Sequence, residues 1–329
     1  MGVRGRRNPV RRLAVFVAVV LLGAGAWGCV SNDKAKQPQP ADAEVAKDAP
    51  ELKGDEASTL VRTTHRNVQH YQTLLAQGQT REALAMHQTV GRAVDDNFAT
   101  FRTKALDTSS YTVRNMAVTC LGFSLLRRAQ ARDLLLSLLI DDEPWIMANA
   151  AMGLSVLKDP DTDLTRLIRL CTHGDAELRT SAATALKELF LVRETPRELT
   201  PQYWAALDAL VALLHDKVTT RGRRAAAWAL GNMRHPATLE HLVAALKDKD
   251  EMVQVGGLRG IELLGDQRAL DPVIEFLDGS PTTSAQSYAR RALVAIAIQS
   301  GFTKTPSELE PLGTNARLWR DWFRSQRMR

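Results

Sequence analysis

Residues 223–248 read RRAAAWALGNMRHPATLEHLVAALKD, and this stretch decides the fold. Gly222, Ala226 and Leu230 stand four positions apart, a spacing that places all three on one face of a helix. The small residue in the middle lets a second helix approach closely. A turn with Gly, Asn and Pro follows, and a second apolar helix is then indicated by Leu239, Leu242 and Leu246. Together these features predict a helical hairpin.

The same three-residue pattern occurs six times along the chain. Its first residues are Val113, Ile146, Leu178, Gly222, Val253 and Tyr288, which lie 33, 32, 44, 31 and 35 residues apart. The one long spacing contains an insertion rich in charge and Pro around residues 192–201. A single hairpin cannot bury its apolar face, whereas stacked hairpins build one continuous core. The sequence therefore predicts an all-α fold, an α-solenoid of about six helical hairpins over residues 109–302.

Residues 223–248 and 253–277 resemble HEAT repeats, in the short bacterial form first named after phycobilisome lyases. The resemblance covers about residues 110–300. It implies a solenoid whose second helices line a concave groove, the surface with which such proteins grip other proteins.

Arginine follows the first residue of the pattern in part of the series. Arg114 and Arg179 hold this position, whereas Met147 and Gln254 interrupt it. Short acidic loops, such as the one at Asp216, close most of the hairpins. We expect the arginines to pair with these loop acids rather than to form a binding surface.

The two ends of the helical region lack the pattern. Residues 59–108 contain amphipathic helix and favour an N-terminal cap, because an open solenoid end exposes apolar surface. Residues 303–329 carry Trp319 and Trp322 at i, i+3 and predict a C-terminal capping helix on the last hairpin. The alternative is a docking helix for a partner or a membrane surface. Five arginines would assist such docking: Arg317, Arg320, Arg324, Arg327 and Arg329.

The first 28 residues are typical of a secretory signal peptide. They contain five Arg, no acidic residue and the apolar run LAVFVAVVLL at residues 13–22. The following Ala26-Trp27-Gly28-Cys29 resembles a bacterial lipobox, although Trp27 stands where a small residue is usual. The resemblance implies that the leader is cut before Cys29 and that this residue carries acyl chains such as palmitate.

An uncleaved signal anchor is the alternative, since residues 13–32 carry no charge and are long enough to cross a bilayer of about 30 Å. Residues 29–58 hold Cys29 and a linker rich in Pro and charge, which cannot bury enough surface to offset its ordering entropy. Either way the N-terminus is tied to a membrane. We expect a location in the cell envelope, facing the periplasm or another extracytoplasmic space. Val30, rather than Asp, follows Cys29 and favours the outer membrane.

Charge and composition exclude several classes of protein. The chain of 329 residues has 43 Lys+Arg and 37 Asp+Glu, and without the five leader arginines the count is 38 against 37. The positive balance therefore belongs to targeting and does not indicate a nucleic-acid binder. An aromatic content of 5% argues against an all-β fold. Three Cys exclude a disulfide-stapled scaffold and a four-Cys zinc site, and we expect Cys120 and Cys171 to be buried free thiols.

No catalytic motif stands out along the chain. None of the seven His forms an H-x₃-H, H-E-x-x-H or His-Glu arrangement. His-Glu pairs are the ones through which the HEAT-like deoxyhypusine hydroxylases bind iron. Phosphate-binding loops and G-x-S-x-G are also absent. We therefore predict a non-catalytic protein with no catalytic residue, metal site or cofactor.

Charged residues on the predicted second helices are the candidate contacts for a partner protein. They are Arg132, Arg166, Arg169, Asp208, Glu240 and Glu275, and the docking alternative adds Trp319 and Trp322. Their mixed signs suit a protein or peptide better than a polyanion. The plainer interpretation is a set of solvated helix faces. The alternative functions are a HEAT-like enzyme, either a lyase or an unrecognised hydrolase, and a nucleic-acid-binding HEAT protein. An exported chain would meet neither the cytoplasmic substrate of the lyase nor a nucleic acid.

Overall fold

Residues 51–279, 281–303 and 305–327 are described by the computed structural model, and they form α-helices, 3₁₀ turns and loops, with no strand among them. The predicted all-α class, built from repeated helical hairpins, is confirmed. None of these helices is both long and apolar enough to cross a bilayer. The predicted leader, Cys29 and residues 30–50 of the predicted linker lie outside the described residues.

Fifteen α-helices follow one another within the described residues. The first four are α1 (Gly54–Ala76), α2 (Thr80–Asp96), α3 (Phe98–Leu106) and α4 (Tyr111–Leu121). The next six are α5 (Arg128–Ser137), α6 (Pro144–Leu157), α7 (Thr165–Leu170), α8 (Ala176–Val192), α9 (Pro201–Leu214) and α10 (Thr220–Asn232). The last five are α11 (Leu239–Ala245), α12 (Glu251–Leu264), α13 (Leu270–Asp278), α14 (Thr283–Gln299) and α15 (Ala316–Arg327).

Side chains cap the helices that open successive hairpins. Asp175, Thr219, Asp250 and Thr282 precede α8, α10, α12 and α14, and each accepts hydrogen bonds from backbone N–H groups of the first turn. Such caps each stabilise a helix by about 1 kcal/mol. The polar loop residues therefore set where each of these helices begins.

The chain divides into two compact units, the first of which ends at Arg128. In this unit α1 packs against α2, α3 and α4, around a core that includes Val61, Val90 and Phe101. Helix α1 begins at Gly54, so the prediction of a linker up to residue 58 is wrong for its last five residues. The acidic side chains that made this stretch resemble a linker stand in the first turn of α1, where the helix dipole favours negative charge.

A buried carboxylate organises the end of the first unit. Asp95, at the end of α2, is 1% exposed. Its Oδ2 accepts hydrogen bonds from the backbone N–H of Leu125 at 2.9 Å and of Leu126 at 2.8 Å, and the Ser124 hydroxyl donates to Oδ1. A carboxylate is tolerated in a core only where such donors replace water. Asp95 thereby holds the loop that follows α4.

In the second unit the helices alternate between two rows. Helices α6, α8, α10, α12 and α14 pack against one another in order and form the first row. Helices α7, α9, α11 and α13 each pack against the first-row helix that follows, and α15 packs on α13; these five form the second row. The middle residues of the predicted pattern lie in the first row, where Ala150, Ala182, Ala226 and Ala292 are fully buried.

Small residues allow the first-row helices to touch through their backbones. A Cβ added to Gly260 of α12 would lie 2.7 Å from the Cα of Gly231 of α10, and one added to Gly231 would lie 2.8 Å from the Cα of Gly260. Neither contact can be relieved by a side-chain rotation, because the obstructing atom belongs to a backbone. Both glycines are therefore required by packing rather than by backbone conformation.

Ion pairs join two of the first-row helices, α8 and α10, to the acidic loops that close their hairpins. Arg179 of α8 contacts Asp216 at 2.7 Å, and Arg223 of α10 contacts Asp248 at 2.8 Å. Next to the latter, Arg224 contacts Asp250 at 2.6 Å. The predicted pairing of these arginines with loop acids is confirmed for Arg179. Arg114 of α4 donates from Nε to the carbonyl of Ala105 at 3.1 Å, a bond that joins α4 to the end of α3.

The insertion that lengthens one spacing connects three successive hairpins. Arg193 donates from Nε to the carbonyl of Pro160 at 2.7 Å, which lies in the preceding hairpin. Thr195 donates from its hydroxyl to the carbonyl of Met233 at 2.7 Å, and the His235 Nε2 atom lies 3.2 Å from the carbonyl of Arg197. The extra residues therefore bond to the loops on both sides and leave the stacking of the rows intact.

The contact between α10 and α12 predicts a large effect of one added methyl group. We expect Gly260→Ala to lower the free energy of unfolding by about 1–3 kcal/mol, because the helices must move apart. Urea denaturation measures the change, provided that the free energy of unfolding of the variant and of the natural protein depends on urea concentration with the same slope. Gly174→Ala is the control, since a Cβ there meets no atom within 4 Å. Equal midpoints for the two variants would show that the helices do not approach this closely.

The ion pair of Arg224 predicts a pH dependence of stability. The hydrogen bond from Arg224 holds the pKa of Asp250 below its ordinary value, against the opposing effect of burial. A lowered pKa stabilises the fold above the unfolded value of about 3.9, and the contribution is lost as the pH falls through the folded pKa. We expect Arg224→Gln to cost about 1–2 kcal/mol at pH 7.

The difference between Arg224→Gln and the natural protein should shrink below about pH 4. Urea denaturation between about pH 3 and pH 7 measures it. Arg197→Gln is the matched control, because the Arg197 side chain is exposed and forms no ion pair within the described part of the chain. A difference that stays constant down to low pH would mean that Asp250 does not depend on Arg224 for its charge.

Candidate functional site

The second row of helices turns a regular set of side chains toward solvent. The exposed positions come directly after a core leucine, as in Leu207-Asp208, Leu239-Glu240 and Leu270-Asp271, and again four residues later. We call the solvent-facing side of α7, α9, α11 and α13 the second-row face. Its exposed charged residues are Arg169, Asp208, Glu240, Asp271, Glu275 and Asp278, the last of which is paired with Arg320 of α15.

Four of the predicted partner contacts lie on this face. Arg169, Asp208 and Glu275 are exposed and take part in no side-chain hydrogen bond or ion pair with any described residue. Glu240 has a side chain that is 83% exposed, and its only ionic neighbour in the described residues is His241 at 3.5 Å. These side chains are available to a partner.

Two further predicted contacts are engaged within the fold. Arg132 is 18% exposed and lies 2.9 Å from Asp133 and 3.4 Å from Asp159. Arg166 is half-buried and donates from Nη1 to the carbonyl of Leu136. Both arginines tie α5 to the following hairpin, so their guanidinium groups have a structural role that the sequence pattern did not reveal.

The tryptophans of α15 differ from each other. Trp319 is fully buried, its Nε1 donates to the carbonyl of Gly313 at 3.0 Å, and its ring stacks on Phe323. Trp319 therefore cannot touch a partner, and its inclusion among the partner contacts was wrong. Trp322 is half-exposed and makes an edge contact with the Phe302 ring at 6.4 Å between centroids. The i, i+3 spacing placed both on one side of the helix, but only packing on α13 and the preceding loop decides which ring is covered.

A cavity of about 430 Å³ lies between α13 and α15, at the end of the second-row face. Its apolar lining comes from Leu270, Ile274 and Phe323. Helix α13 adds Asp271 and Glu275, and helix α15 adds Arg320 and Arg324. Arg320 is paired with Asp278, while the other three charged residues form no ion pair within the described ranges.

Asp271 is the residue of this site that sequence reasoning missed. It stands one position after Leu270, in the same place that Asp208 and Glu240 occupy in their own hairpins. Aligning the second helices on their core leucines would have found it. The cavity itself has no sequence signal, because it depends on how α15 packs against α13.

The described residues include no group of three or more His, Cys, Asp or Glu side chains that could hold a metal ion. Cys120 and Cys171 are buried free thiols, as predicted. Burial raises the pKa of both thiols, that of Cys171 to about 12. Because the thiolate is the nucleophilic form, neither cysteine is suited to covalent catalysis.

Comparison with known proteins identifies the repeats. Residues 99–187 and 206–294 match the family model for HEAT repeats. The gap between the two matched stretches contains the insertion that bonds to the neighbouring hairpins. No curated protein sequence gives a significant match.

Several solved structures are similar in fold. An engineered protein from the Northeast Structural Genomics Consortium has a TM-score of 0.52 at 19% identity, over 82% of this chain and 77% of its own. A computationally designed armadillo repeat protein for modular peptide recognition has a TM-score of 0.46 at 19% identity, over 59% of this chain and 98% of its own. The complex of CpcE and CpcF of phycocyanin lyase from Nostoc sp. PCC7120 has a TM-score of 0.39 at 17% identity, over 87% of this chain and all of its own. At such identities the likeness concerns the fold.

Proposed function

This chain belongs to the HEAT-repeat family, and from that premise we propose that it is a scaffold which binds other proteins through the second-row face and is held to a membrane by a lipid on Cys29. The protein acts in this proposal by binding, without a catalytic step.

The observation that carries the proposal is the division of charged side chains between the two rows. First-row arginines are engaged in ion pairs with loop acids, as Arg179 is with Asp216 and Arg223 with Asp248. On the second-row face, Arg169, Asp208 and Glu275 are exposed and have no ionic partner among the described residues. A row of rigid helices with unpaired charges is a surface suited to recognition, because electrostatic complementarity gives specificity and steers association.

The signs of these charges favour a protein partner over a nucleic acid. Asp208, Glu240, Asp271 and Glu275 are acidic, and Arg169 is the one basic residue of the set that defines the second-row face. A nucleic acid is bound through Lys and Arg that neutralise its phosphates, and a mainly acidic face would repel it. A partner with basic and mixed-charge segments fits this face.

The proposed anchor rests on the leader sequence. The apolar run at residues 13–22 and the lipobox-like stretch before Cys29 are the features that support it. Several acyl chains together hold a protein far more firmly than one, since each buried CH₂ contributes about 0.8 kcal/mol. The scaffold would then work in the cell envelope, on the periplasmic side and at the outer membrane, where its partners would also be found.

Site-specific photo-crosslinking tests the binding surface. We expect a benzophenone amino acid at position 208 or 240 to give discrete cross-linked products in cells of the source organism. Position 287 on α14 is the control, because Ser287 is exposed on a first-row helix.

Charge reversal by Asp208→Lys with Glu240→Lys should reduce the yield of cross-linked product from a benzophenone at position 169, on the same face, about tenfold, an effect of about 1.4 kcal/mol. Glu82→Lys, an exposed acid in the first unit, should leave the yield unchanged. Equal products from positions 208 and 287 would reject the second-row face as the binding surface.

Mass spectrometry and membrane fractionation test the anchor. We expect the mature chain to begin at Cys29 and to carry acyl chains, and to sediment with membranes. In Cys29→Ala, lipidation is lost and the chain retains its leader, so the mass rises by that of the leader and falls by that of the missing acyl chains. An unmodified Cys29 in an intact natural chain would instead show the uncleaved signal anchor, and the lipid would be rejected.

A further inference from the structure

The cavity between α13 and α15 has walls of opposite charge. Helix α13 presents Asp271 and Glu275, which stand four residues apart and so lie on one face of the helix. Helix α15 presents Arg320 and Arg324, also four residues apart. The cavity is therefore bordered by two carboxylates on one side and two guanidinium groups on the other.

Within the described residues, the two carboxylates on the α13 wall form no ion pair with the two arginines on the α15 wall. Arg320 turns to Asp278, at the end of α13. Asp271, Glu275 and Arg324 form no ion pair or side-chain hydrogen bond within the described residues. Three charges of both signs are thus left to face an opening of about 430 Å³, a volume within the range of ligand pockets in proteins.

The base of the cavity is apolar. Leu270 and Ile274 of α13 and Phe323 of α15 supply it. Leu270, Ile274 and Phe323 belong to the core that joins the two helices, so this base is set by the fold. An occupant gains by placing one apolar side chain over this base, because the contact removes apolar surface from water.

We infer that this cavity binds an extended segment of the partner protein in which a basic and an acidic residue stand two positions on either side of an apolar residue. In an extended strand the side chains at i−2, i and i+2 point to the same side, and the outer two are about 13 Å apart. Packed helices have axes about 8–10 Å apart, so the outer residues reach one helix each while the central residue enters the cavity. The basic residue pairs with Asp271 and Glu275, and the acidic residue pairs with Arg324.

A segment with charges of one sign fits less well. Two basic residues would place one cation against Arg324, and two acidic residues would place one anion against Asp271 and Glu275. Like charges in contact across an interface reject the wrong partner. This inference rests on the proposed scaffold function and adds the class of segment that the scaffold recognises at one end of its second row.

Peptide binding to the full chain tests the inference. The probe is the acetylated and amidated peptide Lys-Ser-Leu-Ser-Glu, compared with Gln-Ser-Leu-Ser-Gln and Lys-Ser-Ala-Ser-Glu, in titrations followed by NMR of the labelled protein. We expect the first peptide to bind about tenfold more tightly than either of the others, a change of about 1.4 kcal/mol. Salt should weaken the binding of the first peptide and leave that of the Gln peptide unchanged.

Charge reversal in the protein supplies a readout that loss of folding cannot imitate. Asp271→Lys with Glu275→Lys should transfer the preference to Glu-Ser-Leu-Ser-Glu, and Arg324→Glu should transfer it to Lys-Ser-Leu-Ser-Lys. All three residues are exposed, and unfolding midpoints would verify that the variants fold. Glu82→Lys is the control, because it reverses an exposed carboxylate of the first unit, outside the second-row face. It should leave the order of peptide preference unchanged.

The outcomes separate this inference from the proposed scaffold function. Equal binding of all peptides, or no binding at millimolar concentration, overturns the inference. So does a change of preference in Glu82→Lys equal to that in Asp271→Lys with Glu275→Lys. Cross-links from positions 208 and 240 together with no peptide binding reject the cavity and keep the scaffold. Peptide binding with switched preference in the two cavity variants supports the inference, whatever the cross-linking shows.

Discussion

The close approach of neighbouring first-row helices is the constraint on which the rest of the structure depends. At the crossing of α10 and α12, Gly231 and Gly260 leave no room for a Cβ, and buried alanines occupy the middle of the pattern in other hairpins. Close contact between small residues takes the place of the large aromatic side chains that are scarce in this chain. Each first-row helix touches only its neighbours, so every hairpin must meet the same steric condition, and the period becomes visible in the sequence.

This packing separates the charges that hold the fold from those that remain available. Arg179, Arg223 and Arg224 lie near the start of their first-row helices, where they reach the loop acids Asp216, Asp248 and Asp250. The insertion strengthens the opposite edge by bonding to the loops on either side. The exposed residues of the second-row face, such as Arg169, Asp208 and Glu275, form no such ion pairs within the described part of the chain. They can carry any side chain at little cost to stability, and a rigid scaffold with a variable surface is the usual basis of recognition.

Several predictions of partner contacts failed or were incomplete for related reasons. Trp319 was a contact of the docking alternative, yet it is buried against Gly313 and Phe323 because α15 packs on α13 with that side inward. Arg132 and Arg166 were predicted contacts on the second helices, yet both are bonded within the fold. Asp271 was overlooked, although it shares its position with Asp208 and Glu240. In each case helix periodicity identified the face, while exposure depended on a neighbour distant in the chain.

The helical hairpin, its six-fold recurrence, the acidic loops and the place of the insertion could all be predicted from the amino-acid sequence. These features are local: a spacing of four along a helix and a polar loop between apolar runs are set by residues close together in the chain. The bonding of Arg132 and Arg166, the donors that satisfy Asp95 in the core and the cavity with oppositely charged walls between α13 and α15 were visible only in the tertiary structure. Those properties arise from contacts between residues that are far apart in sequence, and the free energy of such a contact depends on the shape of both surfaces that meet.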